Sequence, residues 1–199
     1  MNHTTSNGNI SATSLAVKYG LIWSAINIVV FLLVYYGMPQ IMGTWKHSII
    51  QFVVGIGLAI YFTLEIRKQI GGFWSFKEAL KNIFILFIIP TVVVYFFSII
   101  FGKWIEPEYP AKITEISLNA TTEMMESMTT DQEVIDETIA EMEKGLEKQF
   151  NPGIMDILQS IAISALIYFV GALIWAAIFK RDRPVFVARE PENEDPLNE

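Results

Sequence analysis

The sequence predicts an all-α membrane protein with four transmembrane helices and an extracytoplasmic amphipathic helical hairpin between spans three and four. Three observations carry that prediction. Four apolar runs reach or approach the roughly 20 residues that cross a hydrocarbon core about 30 Å thick. An acidic, helix-patterned insert, Lys103 to Gly153, separates the last two runs. Basic residues gather on one set of flanks. The 199 residues are 52% hydrophobic, above the roughly 45–50% of soluble domains. Four such runs in so short a chain leave no polar shell to cover them as a soluble core.

The organisation follows from these runs. Residues 1–18 read as a polar cytoplasmic tail. Met1 to Ser14 contains no Lys or Arg, so the basic start of a cleavable signal is missing and span one is expected to be retained as an anchor. Span one runs from Tyr19 to Met38 and stops at Pro39. Span two, Ser48 to Leu64, is the shortest. Span three, Ile83 to Phe101, contains Pro90, where a kink is expected because proline frees a carbonyl four residues back. Span four, Ile154 to Phe179, is long enough to tilt. The tail at 180–199, acidic and proline-containing from Arg189 to Glu199, is expected to lack fixed structure.

Charge orients the spans. One side holds Lys18, Arg67, Lys68, Lys77, Lys81, Lys180, Arg181, Arg183 and Arg189. The other holds Lys46, Lys103, Lys112, Lys144 and Lys148. The bias is sharpest beside the membrane, where Lys180, Arg181 and Arg183 follow span four directly. Lys and Arg near span ends favour the cytoplasm, so both termini are expected inside an inner (cytoplasmic) membrane and the insert outside. Trp45 and Trp104 suit the outer border, Trp74 and Trp175 the inner one.

Composition narrows the chemistry. The chain has no Cys, which removes disulfides, thiolate metal sites and cysteine nucleophiles. Its formal charge of −7 disfavours nucleic acid. Only His3 and His47 are present, in no metal-ligand spacing. No cofactor, metal site or catalytic residue is expected, and no enzyme activity. Inside the spans the polar groups Asn27, Thr91, Ser98, Gln159, Ser160 and Ser164 are uncharged, whereas transport pathways usually hold ionisable residues. Asn27 is read as a polar contact between helices. Gly55, Gly57, Ser160, Ser164, Ala172 and Ala176 permit close helix approach.

The cytoplasmic loop at 65–82 contains the most patterned short stretch, Gly71 to Leu80. Ser75 and Glu78 form a capping box, the Ser hydroxyl accepting from the Glu amide while the carboxylate reaches back. The Gly pair reads as a tight turn; no Lys-Ser/Thr pair follows at phosphate-loop spacing. Arg67, Lys68, Lys77 and Lys81 are read as topology signals, with a lipid-headgroup or partner contact as the functional alternative. Four features together resemble one bacterial family, domain of unknown function forty-one ninety-nine: Gly71-Gly72-Phe73-Trp74-Ser75-Phe76-Lys77-Glu78-Ala79, Glu106-Pro107 after span three, Asn151-Pro152-Gly153 before span four, and Lys180-Arg181-Asp182-Arg183-Pro184 after it. The resemblance covers about Val17 to Pro184. It implies four helical spans and an extracytoplasmic helical segment, and no assigned activity.

The insert carries four Lys and twelve acids, for −8, against +1 in the rest of the chain. Pro107 and Pro110 disfavour helix before them. From Ala111, Ile113, Ile116, Ala120, Met124 and Met128 recur every three or four residues. After Thr129, Thr130 with Glu133 forms a second expected capping box. Val134 or Ile135, Ile139, Met142, Leu146 and Gln149 or Phe150 continue the pattern. Asn151 with Pro152 is expected to cap span four, with Asp156 in its first turn. Each helix must bury its apolar stripe. The stripes pack on each other, or part of them, notably Met124, Met125, Met128 and Met142, faces a partner or another copy, since Met suits adaptable binding surfaces. The acids read as a solvated face rather than a metal site. The resulting functional reading is a structural or interaction module in the lipid bilayer, binding a protein partner or forming a homo-oligomer through residues 111–150. The alternative is a small transporter or homo-oligomeric channel.

Overall fold

The computed structural model describes residues 11–184. The expectations placed on His3, Arg189 and most of both tails lie outside the described residues. Six helices are present there: α1 (Ala12–Gly37), α2 (Trp45–Gln69), α3 (Phe76–Ile100), α4 (Tyr109–Met128), α5 (Gln132–Phe150) and α6 (Ile154–Phe179). A short 3₁₀ turn, Pro39–Ile41, follows α1, and a π-helical turn, Phe101–Ile105, extends α3.

Helices α1, α2 and α6 and the continuous α3–π segment contain the four stretches apolar and long enough to cross a membrane. Twenty-five residues rise about 38 Å, more than the ~30 Å hydrocarbon core. Only 11–22% of the residues in each apolar window are buried within the chain. Most of that apolar surface therefore faces outward, which is tenable where hydrocarbon is the solvent. The chain is a multi-pass membrane protein.

Three helices are longer than apolarity alone predicts. α1 begins at Ala12 rather than Tyr19, because Ser11 caps it by accepting from the Ser14 amide. α2 starts at Trp45, behind a Thr44 cap, and runs past Leu64 to Gln69. Its last turn carries Arg67 and Lys68, cations that the negative end of the helix dipole favours. α3 starts at Phe76, behind the Ser75–Glu78 capping box that the sequence predicts, and runs on into span three; with α2 reaching Gln69, the loop at 65–82 contracts to the turn between Gln69 and Phe76. Gly71 (φ +96°) and Gly72 (φ +85°) make that turn, in a backbone region that side-chain-bearing residues rarely enter. α6 has the bounds the sequence predicts.

α3 lies at the centre, packed along α1 and α6, and α2 rests on α1. α1 and α3 run in the same direction. At one end the Thr13 hydroxyl donates to Asn82 Oδ1 at 3.1 Å; at the other Phe31 meets Phe97 and Phe101 edge to face. Pro90 is buried within α3, which does not end there. Beside it Gly20 lets α1 approach, since a Cβ on Gly20 would stand 3.0 Å from Ile89 Cβ. Ala172 and Ala176 are buried in the main core. Gly55 and Gly57, expected at a helix contact, have nothing within 4 Å of a would-be Cβ; their face of α2 is not covered by the described chain.

Candidate functional site

Two regions gather the residues singled out by sequence. The first is the base of the bundle, where α2 ends, α3 begins and α6 ends. Trp74 and Arg181 pair as a two-residue antiparallel bridge, with amide-to-carbonyl distances of 3.0 and 3.1 Å. The buried Trp74 indole donates through Nε1 to the Phe179 carbonyl at 2.9 Å, and Arg67 Nη1 donates to the same oxygen at 3.2 Å. That oxygen belongs to the last turn of α6, whose carbonyls have no partner within the helix. The Arg181 guanidinium lies 5.3 Å from the centre of the Phe73 ring, within cation–π range. Ser75 Oγ accepts from the Glu78 amide at 3.4 Å and the Glu78 carboxylate accepts from the Ser75 amide at 3.0 Å. Asn82 extends the network to the Glu78 carbonyl at 2.7 Å.

The Gly71–Ala79 and Lys180–Pro184 segments, far apart in sequence, thus form one junction. Lys180, Arg181 and Arg183 are exposed there. A polar hollow of about 780 Å³ opens beside it, walled by Gln69, Phe73, Ser75, Glu78, Asp182 and Arg183. Trp74 is more than a border aromatic. Its sequence signals were its border position and its place two residues after the Gly-Gly turn.

The second region is α4 and α5 at the opposite end. Tyr109 roots it. Its ring centre lies 5.3 to 5.5 Å from those of Phe31, Tyr35, Phe101 and Phe150, all near edge to face. Met42 and Ile113 complete this second core. Gly102 permits the close return of the chain after the π turn, since a Cβ there would stand 3.1 Å from Pro110. Gly43 (φ +73°) brings the α1–α2 turn against Ser117 on α4.

Burial, with the neighbouring Tyr35 phenol adding to it, pushes the Tyr109 hydroxyl up to about 12 from 10. The raised pKa means that the fold holds the neutral phenol. Its contribution is fully present below pH 10, where the phenol is neutral in folded and unfolded chain alike. It falls as pH rises from 10 through 12, because the unfolded chain ionises first. Between those pH values the native protein is expected to lose stability relative to Tyr109→Phe, measured by denaturation in detergent micelles. Parallel pH curves for the two chains would contradict this.

The helix boundaries differ from expectation in three places. α4 begins at Tyr109 rather than Ala111, with Pro110 in its first turn, where the missing amide hydrogen costs nothing. The cap of α5 is Asp131, not Thr130; its carboxylate accepts from the Glu133 amide at 3.1 Å. Thr129 Oγ1 in turn accepts from the Asp131 amide at 3.1 Å, which places Asp131 at the helix entrance and Thr130 in the turn before it. Gly153, not Asn151, precedes α6, and the Asp156 carboxylate accepts from its amide at 2.9 Å.

The four methionines divide. Thr121 Oγ1 donates to Met142 Sδ at 3.1 Å, so Met142 faces α4, and Ile135 is 2% exposed. Met125 is half-buried. Met124 and Met128 remain 39% and 73% exposed. A groove of about 430 Å³ runs beside Met124, between α4 and the α1–α2 turn at Ile41 and Trp45. Among the described residues no three His, Asp or Glu are placed to hold a metal ion.

No curated protein and no solved structure matches this chain. One family model does, described as a protein of unknown function (DUF4199), and it matches residues 18–181. Its last matched residue is the bridge residue Arg181, and both segments of the basal junction carry the resemblance seen in the sequence. The chain belongs to the DUF4199 family.

Proposed function

We propose that this is an interaction module of the inner (cytoplasmic) membrane, with both termini cytoplasmic and α4–α5 projecting outside to bind a protein partner or a second copy. The role is binding rather than catalysis. The observation that carries the reading is the unequal use of the apolar stripe: Met142 faces α4 and Ile135 is buried, while Met124 and Met128 stay exposed. Flexible, polarisable side chains left exposed on the second half of α4, with Met124 beside the α1–α2 turn, suit an adaptable contact. The acidic faces of α4 and α5 repel anionic headgroups, which disfavours burial of the unit among them.

The orientation rests on the basal cluster of Lys18, Arg67, Lys68, Lys77, Lys81, Lys180, Arg181 and Arg183, weighed by the positive-inside tendency. Reporter fusions after Ser75 and Thr129 test it, with Ser75 expected inside and Thr129 outside; an inward Thr129 reporter overturns it. Photo-crosslinking residues introduced at positions 124 and 128, in native membranes, test the contact. Discrete adducts with a protein or with a second copy are expected from both positions and not from position 77 at the base. No adduct from either α4 position would refute the module.

A further inference from the structure

Midway through the bundle all four membrane-crossing helices border one cavity of about 290 Å³. α1 contributes Trp23 and Asn27, α2 Gln51, α3 Phe87 and Thr91, and α6 Tyr168. At 1.5 Å per residue, Asn27 stands roughly 15 Å inside the end of α1 and Gln51 about 9 Å inside the start of α2. Both therefore lie within the ~30 Å hydrocarbon layer. Gln51 interrupts an otherwise apolar run, a signal that sequence reading passed over.

The wall has three chemical properties. First, it contains no charged side chain, so a charged ligand would be buried without a counter-ion, at a cost of several kcal/mol. Second, it is aromatic. The Phe87 ring centre stands 6.1 Å from that of Trp23 and 6.4 Å from that of Tyr168, at 87° and 62°. Third, it holds two carboxamides, the half-buried Asn27 and, at the open edge, the exposed Gln51, that are not among the hydrogen-bonded side chains of the described residues. Of the hydroxyls nearby, Thr91 is committed to the Phe87 carbonyl at 3.1 Å and Ser24 to the Gly20 carbonyl at 2.8 Å, while the Tyr168 hydroxyl and the Trp23 indole, both on the wall, are further polar groups outside the hydrogen-bonded set. An amide without a partner in hydrocarbon costs several kcal/mol. An acyl chain filling the cavity offers Asn27 and Gln51 nothing.

We infer that this cavity binds the head of a neutral, membrane-dissolved ring bearing carbonyl acceptors, a quinone-type group, with the Asn27 and Gln51 amides donating to its oxygens and the aromatic wall covering its faces. The size is apt: 290 Å³ lies just below the range of drug-sized ligand sites, about 300–1,000 Å³, and suits a single ring whose tail leaves between helices into lipid. No electron transfer is implied. The inference is independent of the partner contact at Met124 and Met128, which lies outside the spans.

The test uses the full chain in lipid nanodiscs and a radiolabelled decyl-benzoquinone as probe. Saturable binding above partition into empty nanodiscs is expected. Gln51→Leu and the double variant Asn27→Leu/Gln51→Leu are expected to weaken it, the double variant at least tenfold. Both exchanges replace an amide by a side chain that lipid favours, so the bundle is expected to stay folded, as checked by helicity and monodispersity; Ile178→Ala, at an exposed position near the end of α6, serves as the unaffected control. Decylbenzene, which has the ring and tail but no carbonyl, is expected not to compete. Absence of saturable binding, as for a cavity filled by water, overturns the inference. So does equal binding by the double variant, or equal competition by decylbenzene, which would mark an apolar groove only.

Discussion

Trp74→Ala is expected to destabilise the protein by about 3–5 kcal/mol, the range for emptying a packed aromatic site. The indole is 2% exposed in the main core, so its removal leaves a void rather than a surface dent. The same change removes the Nε1 donor to the Phe179 carbonyl, leaving Arg67 as the remaining donor to that oxygen. Trp74→Phe separates the two losses. It keeps most of the ring and gives up the hydrogen bond, for about 1 kcal/mol plus a smaller cavity. Equilibrium unfolding of the reconstituted protein in mixed micelles measures both. If Trp74→Ala falls within 1 kcal/mol of the native chain, the junction does not hold the base together.

The second large effect is expected at Gly43. A side chain there must adopt φ +73°, costing about 1–2 kcal/mol in the left-handed region. Its Cβ would also collide with Ser117 Oγ and stand 3.1 Å from Ser117 Cβ. Overpacking of that kind adds about 1–3 kcal/mol. Gly43→Ala is therefore expected to loosen α4 from the α1–α2 turn and to raise protease cleavage within α4–α5 severalfold, with the spans intact. Gly43→Ala/Ser117→Ala removes the hydroxyl collision but keeps the strained φ, so it is expected to recover part of the protection. Full recovery would assign the whole effect to the clash; none would assign it to the backbone.

The spans were legible because each depends on one local property. A run such as Ile154 to Phe179, bounded by Asn-Pro-Gly and by Lys180, announces both its ends. The earlier helices overshoot their apolar stretches because hydropathy marks what lipid tolerates, whereas capping and packing set where helix stops. Ser11, Thr44 and the Arg67–Lys68 turn are polar, yet they are where α1 and α2 are fixed. At Asp131 the choice between adjacent cap residues turned on the Thr129 hydroxyl holding the Asp131 amide, a contact that spacing does not encode. Periodicity revealed the methionine stripe and not its division, because Met142 and Met128 differ only in what stands opposite them. The basal junction was the least legible. Its halves were each visible as motifs, but nothing local to either says that they pair.

That pairing also orders events as the chain is made. The Phe179 carbonyl that receives the Trp74 indole lies 105 residues further on. At about 5–20 residues per second, Trp74 waits several seconds or longer for its partner to leave the ribosome. Throughout that interval α1, α2 and α3 lack the strap that joins their base to α6. The fourth span is the one that locks the first three, so the base closes only once α4, α5 and α6 have all been synthesised.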